Sequence, residues 1–339
     1  MKICVIPGDG IGPEVLDAAT TVLRALDPGV DLVSAEAGWA TFQRHGTALP
    51  DATLAAAHAA DAVLFGAVAS PSHAVPGYRS PIVQLRRDLD LYANLRPTVG
   101  QHGPVNLVIV RENTEGLYAG RERLEDSGDT AIAERVITRR ASARIARAAF
   151  DLARRRATEL GRPGRVTIVH KANVLRISDG LFRETALAVA GDYPEVAVDE
   201  LLVDVAAMRL AQAPERFDVL VTTNLFGDIL SDVACIHGGG LGLAASANLG
   251  EGRALFEPVH GAAPDIAGRG VANPLAAIAC VAMLLAWRGA TAPAARLRAA
   301  IAAVLRAGPH TPDLGGNATT ADVTAAILTQ LRGAAPPSA

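Results

Sequence analysis

The feature that most restricts the fold is a regular alternation of short apolar strands with amphipathic helices. The runs predicted as strands are KICVI (2–6), DLVSAEA (31–37), AVLFGAV (62–68), LVIVRE (107–112), VTIVHK (166–171), VAVDELLVD (196–204) and FDVLVTT (217–223). Between them, residues 12–26, 143–160 and 180–190 carry apolar residues at helical spacing. Such alternation predicts an α/β fold with a largely parallel sheet covered by helices.

Bulk properties exclude several classes of protein. A chain of 339 residues, half apolar and one fifth charged, can form one large α/β unit or two domains. Its net charge of −3 argues against a nucleic-acid or anionic membrane partner. The longest apolar stretch, 274–287, is too short to span a bilayer and predicts a buried helix. Three scattered cysteines and the absence of a signal-peptide pattern favour reduced thiols and a cytoplasmic location.

Lysine is almost absent from this chain. Of the 32 basic residues only Lys2 and Lys171 are lysines, and Lys171 ends the apolar run VTIVHK. Arginine stays charged in proteins, whereas a desolvated lysine can lose its proton. The pattern therefore favours a role for Lys171 in proton transfer, with chance persistence of one lysine as the alternative.

The segment NLFGDILSD (224–232) places Asn224, Asp228 and Asp232 four positions apart. In a helix these residues share one face. Acidic residues near a helix N-terminus can simply suit the helix dipole. Two close carboxylates can alternatively hold a cation between them, so this segment alone leaves both interpretations open.

Polar residues follow several of the predicted strands where each strand ends. They are Arg111, Glu112, His170, Lys171, Asp204 and Asn224. Ligands of open α/β sheets bind outside the carboxyl ends of the strands. An arginine, a lysine and three aspartates gathered there predict a pocket for an anion and a divalent metal, which favours the cation interpretation of 224–232.

A Rossmann dinucleotide site is not predicted. GGGLGLAA fits GxGxxA at Gly240, Gly242 and Ala245, but it follows a predicted helix rather than a strand, and the spacing of GDGIG (8–12) is too short. The segment 257–274 is the better candidate, because the small residues from His260 to Ala263 let backbone N–H groups approach a pyrophosphate. Asp265 could accept hydrogen bonds from a ribose diol, and an ordinary Gly/Pro-rich loop is the alternative.

Six motifs occur together and in order: GDGIGPE, LRRDLDLYANLRP, RENTEGLY, HKANVL, NLFGDILSD and FEPVHGAAPDIAGRGVANP. From about residue 2 to 330 the chain resembles the β-decarboxylating dehydrogenases, which are the isocitrate, homoisocitrate and 3-isopropylmalate dehydrogenases. The resemblance implies their fold, with two α/β domains that are not Rossmann domains. The first would comprise 1–96 and 240–339, and the second, 97–239, would hold the dimer interface, an arm and the metal site.

Site residues follow from the same resemblance, position by position. It implies that a 3-substituted malate is bound by Arg86, Arg96, Arg111 and Asn173. Mg²⁺ or Mn²⁺ would be held by Asp228, Asp232 and Asp204 of the other subunit of a homodimer with shared active sites, with a tetramer left open. Lys171, also contributed by the other subunit, would transfer a proton at the substrate 2-hydroxyl. Tyr118 would protonate the substrate carbon from which CO₂ has left. The dinucleotide would be received by His260, Gly261, Asp265, Ile266 and Asn273, and Asp265-Ile266 favours NAD over NADP.

The substituent on the malate is the least constrained part of this prediction. In the family it is read by the segment VPGYRSPIVQ (75–84), where Arg79 and Ser80 suit a distal carboxylate, as in homoisocitrate or isocitrate. Ile82 and Val83 would suit an isopropyl group, and the absence of an arginine at position 83 weakens the homoisocitrate interpretation.

The predicted activity is NAD- and metal-dependent oxidative decarboxylation in amino-acid biosynthesis. The alternatives are a 3-isopropylmalate dehydrogenase of leucine biosynthesis and a non-catalytic subunit.

Overall fold

The computed structural model of the chain describes residues 1–73, 75–100 and 103–333, so the last six residues of the predicted first domain lie outside it. Its strands are β1 (Lys2–Gly8), β2 (Asp31–Ser34), β3 (Ala62–Ala67), β4 (Ala93–Val99), β5 (Asn106–Glu112), β6 (Gly116–Glu125), β7 (Thr130–Val136), β8 (Arg165–His170), β9 (Ala197–Leu202), β10 (Val219–Thr222), β11 (Ala245–Leu249) and β12 (Ala254–Pro258). Its helices are α1 (Gly12–Leu26), α2 (Trp39–His45), α3 (Asp51–Ala59), α4 (Pro81–Asp88), α5 (Arg139–Leu160), α6 (Ser178–Ala190), α7 (Val203–Gln212), α8 (Asn224–Cys235), α9 (Leu275–Trp287), α10 (Thr291–Ala307) and α11 (Thr320–Gly333).

These elements form two compact units. The first comprises Met1–Leu89, Gly239–Ala247 and the chain from Glu251 onward, and the second comprises Asp90–Gly238 with Asn248–Gly250. In the first unit the strand order is β2-β1-β3-β12-β11, and β1 pairs in parallel with both β2 and β3. Strands and helices alternate in both units, which confirms the predicted α/β class.

The apolar stretch 274–287 forms a helix buried in the first unit, as predicted. Helix α9 buries nine of its residues and packs against α1, α10 and β12. It is apolar on every side because it is surrounded by protein, as expected for a helix at the centre of a core. Among the described residues, no helix combines the length and apolar character needed to cross a bilayer.

The sheet of the second unit has the strand order β4-β5-β10-β8-β9, and only β4 runs antiparallel to its neighbour. Side chains alternate between its two faces. Val108 and Val110 belong to a core shared with α5 and α6, whereas Leu107 and Ile109 belong to a core shared with α7 and α8. Helices therefore cover both faces, which explains the continuous apolar runs of its parallel strands.

All seven apolar runs predicted as strands do form strands, but five further strands were not predicted. Two of these, β4 and β6, were missed because their sequences contain polar or charged residues. ANLRPTV contains Arg96 and Pro97, and most of GLYAGRERLE is exposed in a two-stranded antiparallel sheet with β7. Apolar patterning in a sequence detects strands that are buried. These two strands pair with neighbouring strands although their own sequences are not apolar.

Candidate active site

Helix α8 begins directly where β10 ends, at the carboxyl edge of the second unit's sheet. Thr223 is the extended N-cap residue, and Asn224 starts the helix. Gly227 allows α8 to pack closely on β5, because a Cβ at this position would lie 2.6 Å from both Cβ and Cγ of Arg111. The glycine of NLFGDILSD is therefore required by the close approach of the helix to this arginine.

Asp228 lies at the centre of a charged network in the second unit. Its carboxylate contacts the buried guanidinium of Arg111 and lies 3.1 Å from Nη1 of Arg96. Its Oδ2 accepts a hydrogen bond of 2.7 Å from the Tyr118 hydroxyl. Arg111 in turn donates to Oδ1 of Asn224 at 2.7 Å through Nη2. Arg96 and Arg111, predicted to bind the substrate, thus both contact Asp228, which was predicted to bind the metal.

Arg96 extends this network along α8. Its Nε donates to Asn94 at 2.8 Å and its Nη1 to the hydroxyl of Ser231 at 2.7 Å. The same Nη1 lies 3.8 Å from Asp232. Arg96 therefore faces both carboxylates of NLFGDILSD, and its own orientation is fixed by a neighbouring residue on β4.

Burial and charge perturb two acidic groups of this network. Burial raises the pKa of the Tyr118 hydroxyl, and its hydrogen bond to the negatively charged Asp228 raises it further, against the opposing effect of Arg111. Partial burial raises the pKa of Asp232, Arg96 opposes this rise, and the charge of Asp228 adds to it. Tyr118 therefore keeps its proton at neutral pH, and a cation beside Asp232 would relieve an electrostatic cost.

Lys171 and Asp204 form a second charged pair in the same unit. Lys171 directly follows β8, and Asp204 lies in the first turn of α7 rather than in the predicted strand, because β9 ends at Leu202. The lysine ammonium contacts Oδ1 of Asp204. This hydrogen bond lowers the pKa of the Asp204 carboxyl.

The carboxylates of this unit fit a divalent cation. Asp228 and Asp232 offer the oxygen ligands that Mg²⁺ and Mn²⁺ prefer, one helical turn apart, and Asp232 is more than half exposed. Among the described residues of the single chain, no three His, Cys, Asp or Glu side chains group closely enough to hold a metal. Asp228 and Asp232 would therefore supply two ligands, with further ligands coming from elsewhere.

In the first unit, Arg86 is buried beside Glu257. Its Nη2 donates to the glutamate at 2.8 Å, and both side chains are about one tenth exposed. The Nε of Arg86 is buried and has no hydrogen-bond partner among the described residues. A buried guanidinium N–H without a partner fits the predicted role in binding an anion.

The candidate dinucleotide segment is held close to the loop after β1. The N–H of Ile11 donates to the carbonyl of Ala262 at 2.8 Å. A Cβ on Gly10, whose φ is +58°, would lie 1.9 Å from that carbonyl oxygen. GDGIG therefore serves to bring its backbone against 260–263, and no Rossmann turn is needed to explain its glycines.

His260 presents a neutral imidazole in this segment. Burial lowers its pKa. Nδ1 lies 3.0 Å from the carbonyl of Gly261, and the buried Nε2 has no partner among the described residues. An unsatisfied ring nitrogen fits a site that a bound dinucleotide would complete.

The other residues predicted for the dinucleotide differ in their surroundings. Gly261 and Asp265 are exposed, and Ile266 is partly buried. Asn273 is buried, donates to Asp313 at 3.0 Å and accepts from the N–H of Leu275 at 3.0 Å. Its amide therefore also fixes the beginning of α9.

The residues predicted to read the substrate side chain have few contacts. Arg79 is exposed and has no hydrogen bond or ion pair with any described residue, and Ser80 directly precedes α4. Tyr78, next to Arg79, packs edge-on against Trp39 and Phe42, with ring centroids 5.5 and 5.3 Å away. Asn173 is exposed in the turn after Lys171. The segment is thus anchored by an aromatic neighbour, and Arg79 itself is exposed.

Sequence reasoning missed several residues that hold the site. Asn94 and Ser231 orient Arg96, and Glu257 pairs with Arg86. Ser231 lies inside a recognised motif and could have been noticed from its spacing to Asp228. Glu257 is 171 positions from Arg86, so only the folded structure could pair them.

Known proteins match this chain over nearly its whole length. The family model described as isocitrate/isopropylmalate dehydrogenase matches residues 2–327. The chain is 52% identical over 337 residues to the isocitrate/homoisocitrate dehydrogenase of Thermus thermophilus, with 98% of each chain covered. It is 47% identical to the 3-isopropylmalate dehydrogenase of Methanothermobacter thermautotrophicus, again with 98% of each covered.

A solved structure shows the same fold. The isocitrate dehydrogenase of Methylococcus capsulatus superimposes with a TM-score of 0.92 at 46% identity, covering 98% of this chain and 99% of that one. The predicted fold, distinct from the Rossmann fold, is therefore confirmed. With a family match over nearly its whole length and relatives at about half identity, the chain belongs to the isocitrate/isopropylmalate dehydrogenase family, whose members are β-decarboxylating dehydrogenases.

Proposed function

We propose that this protein oxidises and decarboxylates a 3-substituted (R)-malate with NAD⁺ and Mg²⁺ or Mn²⁺, releasing a 2-oxo acid and CO₂. The observation that carries the proposal is the network of Arg96, Arg111, Tyr118 and Asp228, which surrounds the end of β5 and the start of α8. It combines cations for carboxylates, oxygen ligands for a metal and a protonated phenol in one place. Each of these groups has a role in one reaction.

The arginines bind and orient the substrate. Arg111 is 1% exposed and Arg96 is about one tenth exposed, so a carboxylate that meets them is largely desolvated. Both are already held by hydrogen bonds to Asn224, Asn94 and Ser231. Their positions are therefore fixed before the substrate arrives, which lowers the entropic cost of orienting it.

Two residues hold and move protons. Lys171 in its neutral form accepts the proton of the substrate 2-hydroxyl, and the contacting carboxylate of Asp204 stabilises the ammonium that results. Tyr118 donates a proton to the carbon from which CO₂ departs. Its raised pKa keeps the phenol protonated until that step.

Asp228 and Asp232 would hold the divalent cation. A bound Mg²⁺ or Mn²⁺ supplies Lewis acidity toward substrate oxygens and stabilises the negative charge that develops there. Asp232 has a raised pKa in the absence of a cation, which supports this assignment. Asp228 is oriented by its contacts with Tyr118 and the two arginines.

The segment around His260 would bind the dinucleotide, which accepts hydride. The exposed carboxylate of Asp265 can accept hydrogen bonds from the ribose diol and would repel a 2′-phosphate, which supports NAD⁺ over NADP⁺. His260 offers its Nε2, which has no hydrogen-bond partner in the described part of the chain. Gly261 leaves the backbone accessible, and Asn273 supports the far end of the segment at α9.

Homoisocitrate or isocitrate is the proposed substrate, with 3-isopropylmalate as the second candidate. The exposed guanidinium of Arg79, which has no ion-pair partner among the described residues, supports a substrate with a distal carboxylate. The relative at 52% identity named isocitrate/homoisocitrate dehydrogenase supports the same choice. Ile82 and Val83, which follow Arg79 closely in the sequence, are partly buried and support an isopropyl group. The relative named 3-isopropylmalate dehydrogenase supports the same substrate. The proposed setting is cytoplasmic amino-acid biosynthesis.

The working protein is proposed to be a homodimer that shares its active sites. Large apolar side chains are exposed on the helices that carry the acidic residues, with Met208 on α7 half exposed and Ile229 on α8 52% exposed. Ile236, just beyond α8, is also exposed. A second copy would cover this surface, would bring its Asp204 to the metal site and would bring its Lys171 to the substrate.

A substrate panel tests the proposal. Isocitrate, homoisocitrate, 3-isopropylmalate and malate are each supplied with Mg²⁺ and either NAD⁺ or NADP⁺, and absorbance of the reduced nicotinamide is followed. Turnover of a 3-substituted malate with NAD⁺ is expected, and it should be lost in Asp228→Asn. If none of these substrates is oxidised, the proposed activity is contradicted, and the non-catalytic subunit becomes the favoured alternative.

Arg79→Ala separates the two candidate substrates. Because a charge-assisted hydrogen bond contributes about 1.5–3 kcal/mol, removing it should lower kcat/KM for homoisocitrate or isocitrate about 10- to 100-fold and leave 3-isopropylmalate nearly unchanged. Arg253→Ala, in the same unit but outside this segment, is the control. Equal losses on all substrates would remove Arg79 from side-chain recognition.

A further inference from the structure

Asp179 is completely buried directly behind Lys171. Its Oδ2 accepts a hydrogen bond of 2.6 Å from the backbone N–H of Lys171, and its side chain is 0% exposed. The carbonyl of Lys171 accepts from the N–H groups of Val174 and Leu175 at 3.0 and 2.8 Å. Both peptide groups that flank the lysine side chain are therefore fixed, one of them by a buried charge.

Arg135 neutralises this buried charge from outside α6. It lies near the end of β7, and its Nη1 contacts Oδ1 of Asp179 and lies 3.3 Å from the hydroxyl of Ser178. A carboxylate buried without a cation would be costly, and Arg135 supplies the compensating positive charge.

The same guanidinium also contacts the beginning of α8. Its Nη2 donates to Oγ1 of Thr223, the N-cap residue, at 2.7 Å, and it stacks 5.0 Å from the ring centroid of Phe226. One side chain thus joins the turn that bears Lys171 to the helix that bears Asp228 and Asp232. Neither Arg135 nor Asp179 is needed to cover the sheet, because α5 and α6 already do so through apolar residues.

We propose that Arg135 and Asp179 are positioning residues that hold the Lys171 backbone in the orientation needed for proton transfer. This inference rests on the proposed function of Lys171. A flexible lysine side chain reaches a defined point only if its backbone is fixed, and a misplacement of about 1 Å can cost 10²-fold in rate. Arg135 and Asp179 themselves touch no reacting group.

The same unit contains a matched control pair at the opposite end of its strands. Asp218, just before β10, is buried and accepts from Nε of Arg156 at 2.8 Å, from Nη2 of Arg162 at 3.1 Å and from the backbone N–H of Arg165 at 3.3 Å. Like Asp179, it joins arginine side chains to a backbone amide beside one end of β8, but at the amino end of the strand. Asp218→Asn therefore reproduces the loss of a buried ion pair without touching Lys171.

The amide of Lys171 can be observed directly, because Lys2 and Lys171 are the only lysines. Protein labelled with [¹⁵N]lysine gives two backbone amide signals, and Lys171→Arg assigns them. In Asp179→Asn we expect the Lys171 signal to move upfield by about 0.5 ppm or more and its hydrogen exchange to become about tenfold faster, because a charge-assisted hydrogen bond becomes a neutral one. The Lys2 signal is the internal reference, and Asp218→Asn should leave both signals unchanged.

Kinetics then separate positioning from general stability. Asp179→Asn should lower kcat about 10- to 100-fold with KM within about twofold, since misplacement of a proton-transfer group acts on the transition state. Arg135→Lys, which keeps the charge but not both contacts, should show a smaller loss in the same direction. Thermal unfolding of each variant reports stability, and Asp218→Asn should lose stability without losing kcat.

The positioning role is overturned if the Lys171 amide is the same in Asp179→Asn and in wild type, or if it changes while kcat stays that of the Asp218→Asn control. Should Asp179→Asn fail to fold, Arg135→Lys carries the same two readouts. If the wild type oxidises none of the four malates, the proposed function has failed, and the amide signals still decide whether Asp179 holds Lys171.

Discussion

The two units of the chain build their candidate sites from different materials. In the second unit, charged side chains at strand ends contact one another directly, with Asp228 bonded to two arginines and a tyrosine. In the first unit, the segment around His260 offers backbone, small residues and an exposed Asp265, with an unsatisfied ring nitrogen. The site in the second unit offers groups that can bind charge and move protons, and the site in the first unit offers groups that can bind a ligand.

This difference predicts different responses to substitution. Changes in the charged network should alter turnover and the stability of the unit, because each member fixes the others. Changes in the dinucleotide segment should alter ligand preference and leave turnover at saturating cofactor nearly unchanged. The following predictions test this contrast.

The largest effect is expected for Lys171→Arg. Charge and approximate length are kept, but arginine cannot give up its proton, so kcat should fall about 10²- to 10⁴-fold with the fold retained. Steady-state kinetics and circular dichroism provide the measurement. Lys2→Arg, the only other lysine exchange possible in this chain, should be neutral. Turnover near that of wild type would remove Lys171 from proton transfer.

Gly227→Ala should destabilise the charged network by displacing Arg111. The new methyl group would lie 2.6 Å from Cβ of Arg111, so we expect a loss of about 1–3 kcal/mol of unfolding free energy together with lower kcat. Gly180→Ala is the matched control, because its methyl would meet nothing within 4 Å in α6 and should stabilise by about 0.5–1 kcal/mol. Denaturant unfolding of both variants measures the difference, and equal stabilities would show that α8 does not need this close approach.

Asp265→Asn tests the first unit. Removing the negative charge should reduce the preference for NAD⁺ over NADP⁺ about tenfold, equivalent to about 1.4 kcal/mol, while kcat with saturating NAD⁺ changes little. The ratio of kcat/KM for the two cofactors is the measurement, with Glu251→Gln as a control carboxylate in the same unit. An unchanged ratio would mean that another residue sets the cofactor preference.

The smallest effect is expected for Asp232→Asn without metal. Because the folded pKa of Asp232 is raised, its ionised form is less favourable in the folded state than in the unfolded one, so above both pKa values the charge opposes folding. The variant should melt at a slightly higher temperature at pH 7, and this gain should disappear as the pH falls below both values. Added Mg²⁺ should stabilise the variant less than the wild type. Equal stabilisation by Mg²⁺ would contradict a ligand role.

The sequence predicted the fold class and the elements that are apolar or helical, such as β8 and α9. It did not predict β4 or β6, because Arg96 and Pro97 interrupt one and charged residues fill the other. Strand pairing is a property of the neighbouring chain segments, and composition of one segment does not reveal it.

For the candidate site, residue types and strand ends indicated Arg111, Lys171 and the acidic pair on α8. Their mutual contacts could not be derived, since Arg111 and Asp228 are 117 positions apart. The sequence assigned Asp228 to a metal, and the structure adds that the same carboxylate holds two arginines in place. Supporting residues such as Asp179 gave no signal, because a buried aspartate in the first turn of a helix also suits the helix dipole.

The central claim is that each active site takes Lys171 from one chain and Asp228 from another, and subunit complementation tests it most directly. Lys171→Arg and Asp228→Asn proteins, each inactive alone, are mixed in equal amounts under conditions that exchange subunits, and turnover is measured. If the sites are shared, the mixture should regain about a quarter of wild-type turnover, since random exchange leaves half of the dimers mixed and each mixed dimer keeps one unsubstituted site. A mixture that stays inactive although mass spectrometry shows mixed dimers would contradict the account.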